Sequence, residues 1–217
     1  MTLATWRPGT CSALLVLFIT SASASPIFVS NPSFETLPSG GLTMACTGTG
    51  CAFAMSPIPG WTNTAGNTGQ FQPGTNTMYF NSVPDGNVVG FTFNNGTITQ
   101  NVGTVTASTQ YTLTVDVGLR SDLPGSALGI VELLIGNTIV TATGIAPTPG
   151  NWSVYTAVYD STAADAGKTL GITLTSTGNQ GDFDKVALDG TAIPEPATTL
   201  LAGLGAIALA AFKRKRT

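Results

Sequence analysis

Apolar and polar side chains alternate with a period of two through much of the chain. The stretch YTLTVDVGL puts Tyr111, Leu113, Val115, Val117 and Leu119 on one side, with Thr112, Thr114 and Asp116 on the other. KTLGITLTST gathers Leu170, Ile172 and Leu174 on one face. WSVYTAVYD sets Trp152, Val154 and Val158 on one parity and Tyr155 and Tyr159 on the opposite one, so that one of these pairs faces solvent. A period of two describes half-buried β-strands, since successive side chains of a strand point to opposite faces. Residues 88–93 and 97–102 flank NNG at 94–96, which predicts a hairpin turn. IGNT at 135–138 predicts a second hairpin between IVELLI and TIVTAT.

Continued along the chain, the pattern predicts roughly nine to eleven short strands separated by turn signals. Helical periodicity is missing before the C-terminal tail, apart from a possible single turn at 160–167. The expected fold is therefore all-β: an antiparallel two-sheet jelly-roll β-sandwich spanning residues 25–192. Residues 37–74 are rich in loop signals (PSGG, CTGTGC, PIPG, NTAGNTG), and such loops carry the binding site when a sandwich has one.

Composition supports strands. Gly (26) and Pro (13) are plentiful, and charged residues make up only 9% of the 217, against about 25% in an ordinary domain. Between Ser25 and Ile193 the only basic residues are Arg120, Lys168 and Lys185, against ten acids, for a formal charge of −7. So acidic a body repels phosphate backbones, which argues against nucleic-acid binding.

The two ends differ from the body. Arg7, the apolar run ALLVLFIT at 13–20 and the small-residue exit SASAS describe a secretory signal peptide, residues 1–24, cleaved after Ala24. Cys11 would leave with it, and Cys46 and Cys51 in CTGTGC remain. After export such a close pair forms a disulfide around a small loop. The alternative, a zinc site, needs further ligands, and the chain has no histidine. At the other end, IPEP leads into an apolar run over 197–212 and a basic tail over 213–217. Sixteen helical residues span about 24 Å, short of the ~30 Å hydrocarbon core. Lys213 and the basic residues after it favour the cytoplasmic side, and the prolines keep Pro194, Glu195 and Pro196 extended and accessible.

This C-terminus, residues 193–217, resembles a PEP-CTERM sorting signal. The resemblance implies export in a Gram-negative bacterium that makes extracellular polysaccharide. It also implies a transient membrane anchor through the helix at 197–212, and processing at Pro194, Glu195 and Pro196 by an exosortase. A permanent tail anchor is the alternative. In the body, VSNPSFE (29–35), IPGWT (58–62), VPDGNVVGF (83–91), ITQNV (98–102) and FDKVALDG (183–190) follow in an order that resembles the galactose-binding-like jelly roll of many carbohydrate-binding modules. That likeness implies a structural calcium ion held by Glu35, Asp184 and the carbonyl of Asn31. The alternative is that both carboxylates hydrogen-bond loop backbone.

Little in the sequence points to catalysis. Without histidine there is no His-based triad. Glu35 and Glu132 are the only glutamates of the body, and Glu132 sits in IVELLI, where an exposed strand face accounts for it. Asp182 and Asp184 flank Phe183 and so share a strand face, where paired acids can share a proton or a metal. Binding is better supported. Trp61, with Asn63 and Gln70 nearby, is the candidate platform for stacking a sugar, the alternative being that Trp61 caps the core. The expectation is a non-catalytic cell-surface or matrix protein that contacts extracellular polysaccharide. A purely structural or adhesive surface protein, or a glycoside-acting enzyme, are the alternatives.

Overall fold

The computed structural model describes residues 23–194, apart from 56, 65, 76–77 and 124–128. Among the described residues thirteen strands pair antiparallel into two sheets, the expected jelly-roll β-sandwich. Numbered in chain order, the strands of the larger sheet are β1 (Ala24–Ile27), β2 (Met44–Ala45), β3 (Ala52–Ala54), β5 (Thr68–Gln72), β6 (Val89–Thr92), β8 (Thr109–Leu119), β11 (Asn151–Asp160) and β13 (Gly181–Ala192). The smaller sheet holds β4 (Thr62–Asn63), β7 (Thr97–Thr104), β9 (Ile130–Ile135), β10 (Thr138–Thr141) and β12 (Thr169–Thr175). The larger sheet is ordered β11-β8-β13-β6-β5-β3-β2, with β1 also on β13, and the smaller β10-β9-β12-β7-β4. One 3-10 turn, Ala163–Asp165, lies inside the stretch expected to hold a helical turn.

The alternation decides the core. Tyr111, Leu113, Val115 and Val117 of β8 face inward, as do Val131, Leu133 and Ile135 of β9 and Leu170, Ile172 and Leu174 of β12. In β11 the tyrosines win the inward face: Tyr155 and Tyr159 pack on the core, leaving Val154 56% and Val158 48% exposed. Phe183 of β13 is inward, but two positions on, a bulge intervenes. Lys185 takes a left-handed φ of 48°, the register to β8 shifts between Asp184 and Ala187, and Val186 and Leu188 become the inward residues. A bulge inserts one unpaired residue and so reverses the parity. It lets one strand put Asp182 and Asp184 on the outer face while Phe183, Val186 and Leu188 fill the core.

The IGNT turn joins β9 to β10 as expected, with Ile135 opposite Thr138. NNG does not make a hairpin. β6 belongs to the larger sheet and β7 to the smaller, so Asn94 and Asn95, with φ of 47° and 61°, carry the chain across the sandwich. Their amides donate to the carbonyls of Gly178 and Ser176, which ties this crossing to the one that leads into β13.

Residues 1–22 of the expected leader, and Glu195, Pro196, the apolar run and the basic tail, lie outside the described residues. No helix among the described residues is long and apolar enough to cross a membrane.

Candidate functional site

The larger sheet has a second apolar cluster on its outer face, separate from the core between the sheets. Strand register assembles it. Gly69 of β5 pairs with Phe91 of β6, Phe91 with Asp182 of β13, Asp182 with Gly118 of β8, and Gly118 with Trp152 of β11. Directly cross-strand residues share a face, so this row projects away from the core. A neighbouring row adds Phe53 opposite Phe71. The two glycines leave room: a Cβ on Gly118 would lie 2.8 Å from the Trp152 ring and 2.9 Å from Phe80.

Loops roof this face. Cys46 and Cys51 form a disulfide, with Cα atoms 5.2 Å apart, and close the loop between β2 and β3. The Tyr79 hydroxyl accepts the Thr47 amide at 3.2 Å, which fastens that loop to the segment carrying Tyr79 and Phe80. Tyr79 meets Phe71 edge-on at 5.2 Å, and Phe80 packs against Trp152 at 4.6 Å. Between roof and sheet lies a cavity of about 210 Å³. Phe53, Met55, Phe71, Phe91 and Phe93 give it apolar walls, with Tyr79, Arg120 and Gln180 as its polar groups and Cys46 also in the lining.

A polar chain runs through this aromatic setting. The Arg120 guanidinium lies 5.2 Å from the Phe71 ring centre and 4.7 Å from that of Tyr79. It grips Asp122 through two bonds, of 2.9 and 2.7 Å, and donates a third, at 2.9 Å, to Gln180. Gln180 donates in turn to Asp182 at 2.7 Å. Asp182 is 1% exposed, and burial pushes its carboxyl up to about 7. The Gln180 bond and the Arg120 charge hold it down in part, while Asp122 adds to the rise. Burial opposes the charge on Arg120, but its bond to Asp122 and the nearby acids keep it more firmly protonated than usual. The site therefore combines a carboxyl that is proton-bearing near neutrality with walls able to face a cation with aromatic rings.

Of the residues singled out in the sequence, Asp182 and Cys46 belong to this site, and the expected sugar platform and calcium ligands sit elsewhere. Trp61 is 7% exposed, stacks on Phe34 at 5.7 Å and donates its indole N–H to the Asn31 carbonyl. It caps the core and offers no platform to a sugar, which corrects that expectation. Asn63 accepts the Ile58 amide and donates to Thr68, while Gln70, 1% exposed, donates to the carbonyls of Phe34 and Thr36. All three stitch loops to the sandwich.

The carboxylates expected to hold calcium accept hydrogen bonds from loop backbone. Glu35 accepts the amides of Asn87 and Val88, and Asp184 those of Asp85 and Lys185. The Asn31 side chain is spent on Thr36 and Pro59, and its carbonyl takes the Trp61 N–H. Both carboxylates lock the 85–88 loop from its two sides. Burial pushes Asp184 up to about 7 against those two amide bonds. Among the described residues no three Cys, Asp or Glu side chains converge in a way that would hold a metal.

Arg120, Gln180 and the phenylalanines were not singled out as a site. Arg120 did carry a signal, as the one arginine in a body with three basic residues.

The family model described as HpiC1 cyclase matches residues 25–189, and that of the PEP-CTERM protein-sorting motif matches residues 192–215. A cyclase from Fischerella sp. TAU, solved with 4-(1H-indol-3-yl)butan-2-one, is 22% identical, with a TM-score of 0.64 over 78% of this chain and 99% of that chain. The Stig cyclase Fisc from Fischerella sp. TAU, solved with a pyrrolidinylidene-indole, is 23% identical, with a TM-score of 0.64 over 79% and 100%. These two share the fold. A xylan-binding CBM22 domain from Paenibacillus barcinonensis aligns more loosely, at 14% identity and a TM-score of 0.43 over 81% of this chain and 100% of that chain. No curated protein matches the chain. The sorting motif marks an exported protein of the cell surface or extracellular space, as expected. The cyclase match overturns the expectation of a non-catalytic body.

Proposed function

The chain belongs to the HpiC1-like cyclase family, and from that premise we propose that it is an exported acid catalyst that closes rings in an apolar, electron-rich substrate. One observation carries the reading: Asp182, a buried carboxyl at about 7, stands behind an aromatic cavity and is bonded to a residue of its wall. An acid works best when its pKa lies near the working pH. Protonated Asp182 would add its proton to a double bond of the substrate. The carbocation or iminium ion so formed would face the rings of Phe53, Phe91 and Phe93, whose π-clouds favour positive charge, since Arg120 already lies over Phe71 and Tyr79. Attack by a second double bond of the same molecule forms the ring bond, and loss of a proton to the Asp182 carboxylate restores the acid. Product and substrate are isomers, so no oxidant or cofactor enters.

The indole-containing ligands of the two Fischerella complexes support a flat aromatic substrate, and the walls here are of matching character. An indole bearing a pendant alkene or carbonyl chain is the probe of choice. The protein should convert such a probe to a cyclised product of unchanged mass, separable by chromatography. In Asp182→Asn the rate should fall by about 100-fold or more, as expected when a positioned acid is removed. Full activity in that variant would overturn the assignment. Exosortase acting at Pro194, Glu195 and Pro196, with the following segment as a temporary anchor, completes the reading. It predicts a mature protein that lacks residues 197–217.

A further inference from the structure

We propose that Gln180 is a positioning residue for Asp182, itself oriented by Arg120, so that the chain Asp122–Arg120–Gln180–Asp182 decides which carboxyl oxygen carries the transferable proton. The inference rests on the reading of Asp182 as the acid.

A carboxamide has one accepting end and one donating end, and a free one can present either. Arg120 removes the choice. A guanidinium has only donors, and its Nη1 lies 2.9 Å from Gln180 Oε1. The oxygen end of Gln180 is therefore held toward Arg120, and its Nε2 must face Asp182 Oδ1, 2.7 Å away. Arg120 is itself fixed: Nε and Nη2 pair with the two oxygens of Asp122, and its guanidinium carbon lies over the rings of Phe71 and Tyr79.

The consequence is chemical. If Gln180 presented its oxygen, a protonated Asp182 would donate to it and bury its proton in that bond. Because Gln180 presents its N–H, Oδ1 can only accept, and the proton resides on Oδ2. The charged groups facing Asp182 are few. Arg120 and Asp122 come from the segment after β8, and β6 contributes the uncharged Phe91. Asp184 and Asp116 lie one step further along the outer face.

The discriminating variant is Gln180→Glu, which keeps the shape and the acceptor for Arg120 but cannot donate from its carboxylate to Asp182. On the full chain, with the indole probe, kcat should fall by about tenfold or more while KM stays within about twofold. Wild-type kcat in Gln180→Glu would show that Gln180 only props Arg120, and would overturn the proposal. A second arm needs no turnover. In 15N-labelled protein the Gln180 side-chain amide protons, identified by their loss in Gln180→Glu, should shift in Asp182→Asn and in Arg120→Lys. Resonances indifferent to both substitutions would also overturn it. If the wild type converts no probe, the cyclase reading fails, and the amide resonances still judge the relay.

Discussion

Asp182 and Asp184 are two residues apart, face the same side, and are both pushed up to about 7 by burial, yet their partners make them different. Asp182 is held by side chains of the cavity, whereas Asp184 is held by the backbone amides of Asp85 and Lys185 and serves a loop. The rate should therefore follow the protonated fraction of Asp182: level on the acid side and falling about tenfold per pH unit well above 7. In Asp184→Asn the shape of that profile should persist, while stability drops by about 1 kcal/mol as one loop bond is lost, read from urea midpoints. A profile that flattens in Asp184→Asn instead would exchange the roles of the two acids.

At the level of elements, the strands were legible and their partners were not. The alternation in β8 and β12 is local, so Leu113 or Ile172 could be placed inside from the sequence. Which sheet a strand joins depends on contacts far along the chain. NNG carries the left-handed asparagines of a tight turn, yet it crosses between sheets because β6 pairs with β5 and β13 while β7 pairs with β12 and β4. The site was hidden for the same reason. Phe53, Phe71, Phe91 and Asp182 are scattered over four strands, and only register brings them together. Trp61 misled because an indole in a loop-rich stretch reads the same whether it caps a core or meets a ligand.

Gly118 tests the assembled row. Gly118→Ala would drive a methyl group into the rings of Trp152 and Phe80. Such overpacking costs about 1–3 kcal/mol, and the movement of Trp152 should quench or shift its fluorescence. An unchanged midpoint and spectrum would mean that the row is looser than described.

The whole molecule should show an unusual dependence of stability on pH. Asp182 and Asp184 bind protons more tightly folded than unfolded, where an aspartate titrates near 3.9. Their contribution is complete below about 4 and is lost as pH rises to about 7. Asp165 acts oppositely: Lys168 and Thr162 hold its carboxyl below the usual range, so its contribution is lost on strong acidification. The thermal midpoint should be higher at pH 5 than at pH 8. In the double variant Asp182→Asn, Asp184→Asn that difference should shrink, and an undiminished difference would place its origin elsewhere.

The run of β13 sets a direction for the molecule. The strand starts at Gly181 beside the cavity and ends at Ala192, where Ile193 donates to the Ser108 carbonyl and Pro194 follows at once. β1 lies alongside that end, with Ala24 opposite Thr191, so the chain enters and leaves the body at one pole. Ten residues of strand separate Asp182 from Ala192, about 30 Å at the usual rise. The body is thus a pedestal. The start of the sorting motif lies at its foot, while the cavity lies near its head. A body still tethered through Pro194 would hold its mouth clear of the surface it stands on and meet its substrate from the open side.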